Sequence, residues 1–200
     1  KETYIDPYEA MMARIDRKEQ GKSDFLVKLR VEASPNVIAF VEIDKASGNV
    51  LSGQGNGLIE LEAGDDIFNI HGDYTLTGGK YNFSALGLVN RVFDIQDGSS
   101  INFSGDIMQS TLDIDAVYKT KASLSSLLSD ESSVANRRNV ECGIRITDKL
   151  SNPRLEFFID VPDLNPMIKS RVESALSTED KIQKQFLSLL LSNSFLPDEQ

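Results

Sequence analysis

With 200 residues, 31 acidic against 21 basic side chains and a net charge of −10, the chain repels phosphate backbones and anionic headgroup surfaces, which argues against nucleic acid as a partner. Its 40% hydrophobic and 26% charged residues suit a folded chain with a real core and speak against disorder. The single cysteine, Cys142, excludes an internal disulfide, and the densest apolar run, Phe186 to Leu191, falls far short of the ~20 residues that cross a bilayer. The chain opens at Lys1 without an initiator methionine or a signal-peptide pattern, and so reads as a piece of a longer protein whose destination is not written in it.

The first element expected is a short helix over Asp6 to Ile15, with Asp6 as cap, Pro7 at the first helical position and Gly21 as terminator. The period then changes to two. Phe25, Val27, Leu29, Val31 and Ala33 share one face, and Val37, Ala39, Val41 and Ile43 follow after a Ser34-Pro35-Asn36 turn. Leu51 to Ala63 reads as a strand with Gly53, Gly55 and Gly57 on one face. Tyr74 to Thr77 and Lys80 to Phe83 flank Gly78-Gly79, a two-residue hairpin signal, and Asp97-Gly98 marks another turn between Val92–Ile95 and Ser100–Phe103.

Three later strands alternate most cleanly. Leu112, Ile114, Ala116 and Tyr118 form one apolar face. Val140, Cys142, Ile144 and Ile146 form a second, and Leu155, Phe157, Ile159 and Val161 a third; Asp113, Asp115, Glu141, Arg145, Glu156 and Asp160 lie opposite. One apolar and one wet face is the mark of antiparallel sheet. Between Leu124 and Asn139 a Ser-rich loop with about one helical turn is expected. Two helices follow, one starting at Asn165-Pro166 and one capped at Thr178 with Ile182, Phe186, Leu189 and Leu190 on a stripe and Pro197 as stop. The organisation expected is an N-terminal helix and linker over 1–22, a β-domain over 23–163 and C-terminal helices over 164–200.

Few residues carry reactive chemistry. His71 is the lone histidine and reads as a turn residue; no catalytic set or metal site emerges around it, and no cofactor is expected. Cys142 sits on an apolar strand face, far from the electropositive setting a reactive thiolate needs. The glycines of Gly53-Gln54-Gly55-Asn56-Gly57 open no helix, so they point to strand curvature or close backbone approach rather than to a phosphate cradle. Asp113 and Asp115 read as solvent-facing, Arg137-Arg138 as loop solvation, and the C-terminal stripe as a helix packed on its own sheet. No acid–base or nucleophile pair marks an enzyme.

Eight to ten one-sided strands must hide their apolar face. The sheet closes on itself, curls into a trough with an apolar floor, or buries that face against another protein. A trough leaves more apolar surface than a monomer ordinarily exposes, and that calls for a ligand.

The segment Gly72-Asp73-Tyr74 to Gly79-Lys80-Tyr81-Asn82-Phe83 resembles the paired Gly-x-Tyr elements of the TamB C-terminal domain family. Phe93-Asp94-Ile95 with Gly98-Ser99-Ser100-Ile101-Asn102-Phe103-Ser104-Gly105-Asp106, Leu112-Asp113-Ile114-Asp115-Ala116-Val117-Tyr118, Asn152-Pro153-Arg154-Leu155 with Phe157, Ile159 and Pro162, and Gln185-Phe186 with Leu189-Leu190 are similar to further elements, in order from about Ser23 to Phe195. Ser129 to Ser133 departs from the pattern, as does Phe103, where tryptophan is often seen. The resemblance implies a mainly β fold: a curved, mostly antiparallel sheet folded lengthwise into a hydrophobic, taco-like trough with short helices at its ends. It implies a periplasmic domain of an inner-membrane-anchored protein that works in outer-membrane biogenesis.

The function expected is therefore a conduit or chaperone segment without turnover. Phospholipid or other acyl chains would lie along the three apolar faces that begin at Leu112, Val140 and Leu155, and the full-length protein would meet an outer-membrane β-barrel partner of the TamA type. Exposing two long acyl chains to water costs up to ~25 kcal/mol at ~0.8 kcal/mol per methylene, so transit needs continuous apolar cover. The alternatives are a module that assists barrel assembly or secretion by β-augmentation, and a β-domain with a fully closed core.

Overall fold

The computed structural model describes residues 8, 9, 11, 26–44, 46–130 and 136–199. Tyr8, Glu9 and Met11 are helical; the rest of the expected N-terminal helix, with Asp6, Pro7 and Gly21, lies outside the described residues. Nine strands follow: β1 Leu26–Ala33, β2 Ile38–Asp44, β3 Asn49–Gly64, β4 Phe68–Ala85, β5 Val89–Ile95, β6 Ser100–Gly105, β7 Thr111–Ser123, β8 Arg137–Lys149 and β9 Arg154–Asp160. A 3-10 turn at Ile107–Gln109 and one α-helical turn, α1 Ser125–Leu128, interrupt them, and α2 Pro166–Ala175 and α3 Glu179–Ser192 follow.

All nine strands join one antiparallel sheet. Its long members are β3 and β4, paired from Val50–Asn82 to Ala63–Phe68. Each is long enough to serve two shorter strands laid end to end. β1 and β2 share the outer side of β3, and β6 and β5 share the far side of β4 before the sheet continues through β7, β8 and β9. Across β3 to β8 burial largely alternates from one residue to the next, changing phase at the β4 bulge, which is the period-two alternation expressed in three dimensions.

The sheet is strongly curved and taco-like. From β4 to β9 there are four inter-strand steps, ~19 Å on a flat sheet at ~4.8 Å each. Yet the rings of Phe83 on β4 and Phe157 on β9 stand 6.0 Å apart. Outside that span, β3 and β4 make a crease of their own at the glycines. A Cβ on Gly55 would lie 2.1 Å from the Thr75 carbonyl oxygen and one on Gly57 2.3 Å from that of Asp73, so only bare backbone permits β3 and β4 to approach so closely there.

Gly78-Gly79 does not make the expected hairpin. β4 runs straight through it to Ala85, and the register with β3 slips by one residue at Gln54–Gly55. Gly79 at φ 149° lies with its Cβ position 2.2 Å from the Ser52 carbonyl oxygen. The extra residue is Thr77, so the strand bulges at Thr77-Gly78 and runs on instead of reversing. Asp97-Gly98 does turn, with Gly98 at φ 87°, and Ser34 accepts the Val37 N–H at 3.0 Å across the first turn.

The helical caps follow the sequence signals. Asn165 accepts from the Ile168 N–H and Thr178 from the Lys181 N–H. α3, however, stops at Ser192, because Asn193 adopts the left-handed conformation and caps it; Pro197 lies beyond. The tail then folds back on α3. The Gln185 side chain donates to the Leu196 carbonyl at 2.9 Å and accepts its N–H at 2.8 Å, and Ser188 donates to the Ser194 carbonyl at 2.7 Å.

Candidate functional site

Register determines what faces the inside of the curve. One row crosses the whole sheet: Val41, Leu51, Tyr81 and Phe93 pair in succession, and Tyr118, Cys142 and Ile159 continue it. The Phe93 and Tyr118 rings, 5.8 Å apart, join its halves. These side chains and the rows on either side form the trough floor.

Over part of this floor lies α3. Its Phe186 stacks on Phe93 at 6.0 Å and touches Phe157 at 4.7 Å and Phe83 at 6.1 Å; Leu189 and Leu190 are wholly buried beside it. The stripe expected to pack on the sheet does so. Ile114, Ala116, Val140, Cys142, Ile144 and Ile146 are inaccessible, Leu112 and Val161 are buried, and Tyr118, Leu155, Phe157 and Ile159 are partly buried against the same cluster. As the chain stands, most of the twelve side chains expected to line a groove are core beneath a helix.

The trough is not filled along its length. Away from α3 a cavity of about 850 Å³ opens between β2, β6 and the β8–β9 turn. Ala39, Val41 and Ile43 form one wall, Ile70, Ile101 and Phe103 the floor, and Leu150 and Pro153 the opposite wall; Ile107 and Met108 stand at the rim. Of the twelve expected residues, Leu112 and Leu155 reach it. The β2 and β6 residues were missed as site residues because their alternation resembles that of any one-sided strand.

The cavity's lining also carries polar groups, Glu42, Asp44, Asn49, Ser151 and Asn152. Asn49 is buried and its side-chain oxygen accepts the Ser84 N–H at 2.8 Å. The neighbouring Tyr81 is wholly inaccessible, its hydroxyl beside the Asn49 side chain; burial pushes its pKa up to about 12. Burial likewise pushes the Cys142 thiol up to about 12, so it is protonated and inert at neutral pH.

The remaining candidates lie elsewhere. His71 is exposed on the outer face, between Glu60 and Ser104. Asp113 is exposed, and Asp115 forms an ion pair with Arg145 at 3.2 Å. Among the described residues no three His, Cys, Asp or Glu side chains come together as a metal site. Arg137 and Arg138 are not loop residues: both belong to β8, and Arg138, half-buried, faces the trough as Val140 and Cys142 do. Extending that alternation back by one step would have placed it there.

No helix among the described residues is long and apolar enough to cross a membrane. A family model, the TamB C-terminal domain, matches residues 9–200. No curated protein and no solved structure matches the chain.

Proposed function

This chain belongs to the TamB C-terminal domain family, and on that premise we propose that it is a periplasmic segment of a lipid conduit, holding phospholipid acyl chains in its trough between the inner and outer membranes. The family supports a part in outer-membrane biogenesis as a transport and assembly module. The observation that carries the finer reading is the open apolar cavity. Its volume lies within the range of small-molecule sites, and its lining is mainly apolar, with Glu42, Asp44, Asn49, Ser151 and Asn152 as its polar part. Acyl chains would lie against Val41, Phe103, Leu112 and Leu155. They would reach Ala116, Ile144 and Phe157, and with them the rest of the twelve-residue floor, where α3 lifts. Attachment to an inner-membrane anchor, and contact with an outer-membrane barrel of the TamA type, would belong to the full-length protein.

Photocrosslinking amino acids test the reading without disturbing the core. Placed at Phe103 and Met108 in periplasmically expressed protein, they are expected to capture lipid; at Leu58, exposed on the outer face, they are not. Equal labelling at all three positions would refute a trough-bound lipid.

A second reading has an observation of its own. Among the described residues, β1 and β2 at one side of the sheet and β9 at the other pair on a single edge. An incoming strand would extend the sheet there, as β-augmentation of a barrel precursor requires. Crosslinks to protein from β9, with none to lipid from Phe103, would favour it.

A further inference from the structure

From β4 across to β8, the trough-facing strand positions are apolar, glycine or neutral at all but three places among the described residues: Arg91 on β5, Arg138 on β8 and Asp148 at the far end of β8. The two arginines share one end of the trough. Continuing the Asp94–Val117 and Ile95–Ala116 pairs places Arg91 opposite Thr120 on β7; Thr120 pairs with Val140, and Ala122, one step further along, pairs with Arg138. Asp148 stands ten residues down β8, ~33 Å away at ~3.3 Å per residue.

Both arginines are half-buried, and the Nε of each is buried with no hydrogen-bond partner among the described residues. Arg91 donates one Nη to the Asn90 carbonyl at 3.1 Å. Among the described residues neither arginine takes part in an ion pair; the other described cations outside the ion pairs, Lys121, Arg137, Lys149 and Lys169, are all exposed. Two inward, half-buried cations without an ion pair among the described residues stand apart from the exposed unpaired ones, because a partly buried guanidinium is costly unless an anion and hydrogen-bond acceptors complete it.

We propose that Arg91 and Arg138 form an anion subsite at this mouth of the trough, and that it takes the phosphodiester of a phospholipid whose chains lie along the apolar floor. The proposal rests on the trough reading above and adds an orientation: headgroup at the Arg91–Arg138 end, opposite the open cavity, and chains toward Ile144 on the floor from which α3 lifts. A phosphodiester supplies acceptor oxygens of the geometry guanidinium donors favour. The α3 C-terminus lies at the same mouth, where Thr120 Oγ1 donates to Asn193 Oδ1 at 2.7 Å, so a headgroup docking there would compete with the helix's own negative end.

The test compares palmitoyl-oleoyl phosphatidylglycerol with the diacylglycerol of the same chains, each delivered from detergent micelles to the whole domain and read by native mass spectrometry. R91Q/R138Q is expected to lose at least tenfold in affinity for phosphatidylglycerol and to keep its affinity for diacylglycerol. R91K/R138K, which retains the charge and protects the fold, should stay within about threefold of the original. Equal loss for both lipids, or no loss, overturns the anion subsite and leaves the trough reading standing. Should the unaltered protein bind neither lipid, both fail. A lower melting temperature with unchanged phosphatidylglycerol affinity makes the arginines a brace for α3 and overturns the proposal. So does a shift of the arginine Nε resonances with inorganic phosphate but not with phosphatidylglycerol, which would assign the site to a free anion.

Discussion

The covered and open parts of the trough are built from the same alternating strands and differ in one respect, the presence of α3. Under the helix, Phe93, Ile144, Phe186 and Leu189 form a close-packed aromatic and aliphatic cluster with no accessible surface to speak of. Beyond it Phe103 and Leu155 are partly exposed to the cavity, and on β1 Leu29 and Val31, facing the same way, are each 42% exposed. Alternation determines which way a side chain points. What lies over it is decided by residues far away in the chain.

The sharpest way to break the contrast is to remove the residue that makes the cover. Phe186→Ala deletes a buried ring that touches three others, and is expected to cost about 3–5 kcal/mol in urea unfolding. It should also raise binding of an apolar dye as the covered part comes to resemble the open one. A loss below about 1 kcal/mol would mean that α3 rests on the sheet without holding it.

The crease between β3 and β4 is tested next. Gly55→Ala thrusts a Cβ at the Thr75 carbonyl, which as backbone cannot step aside, so about 2–3 kcal/mol of stability should go. Gly78→Ala, where a Cβ meets open space, is the control and should be close to neutral. Equal effects would show that the crease tolerates side chains.

Much of this was legible in the sequence. The strand faces followed from period two, the caps from Asn165 and Thr178, and the close approach at Gly53 to Gly57 from glycines that open no helix. The part that was not legible is long-range. Gly78-Gly79 carries the local chemistry of a hairpin, and it took the unbroken partner β3 to carry the strand on through a bulge at Thr77-Gly78. Pairing of β4 with both β5 and β6 depends on its length, not its composition. Arg138 was read as loop because the strand was begun too late, and Arg91 was passed over although the Phe93–Ile95 alternation, carried back one step, faces it inward. Whether α3 covers a given row was beyond any local signal.

Two titrating groups sharpen the comparison at its boundary. Cys142 lies in the covered part and Tyr81 where it meets the cavity; burial raises both to about 12. From about pH 9 upward the unfolded chain loses these protons while the native state keeps them, so the unfolded state binds fewer protons and stability falls as pH rises toward 12. The slope is at most about 1.4 kcal/mol per pH unit for each group. Cys142→Ala should flatten the earlier part of that decline, because an unfolded thiol titrates near 8.5 and an unfolded tyrosine near 10. An unchanged profile in urea unfolding between pH 8 and 11 would show that the covered part admits water.

The smallest effect concerns the reverse of the covered part, where the sheet has no helix and uses a ring instead. Gly143 on β8 pairs with Phe158 on β9, and a Cβ there would fall 1.9 Å from the Phe158 ring, which therefore lies flat over the glycine and shields the strand from solvent. The colliding atoms are the far end of a side chain, so the ring can swing away; Gly143→Ala is expected to cost about 1 kcal/mol or less. In a Phe158→Ala background no ring remains to displace, and alanine's lower backbone entropy cost should then favour it over glycine by about 0.5 kcal/mol. The double-mutant cycle thus predicts a change of sign. If Gly143→Ala costs the same in both backgrounds, β8 is constrained there by its own backbone, and the ring contributes nothing to the cover.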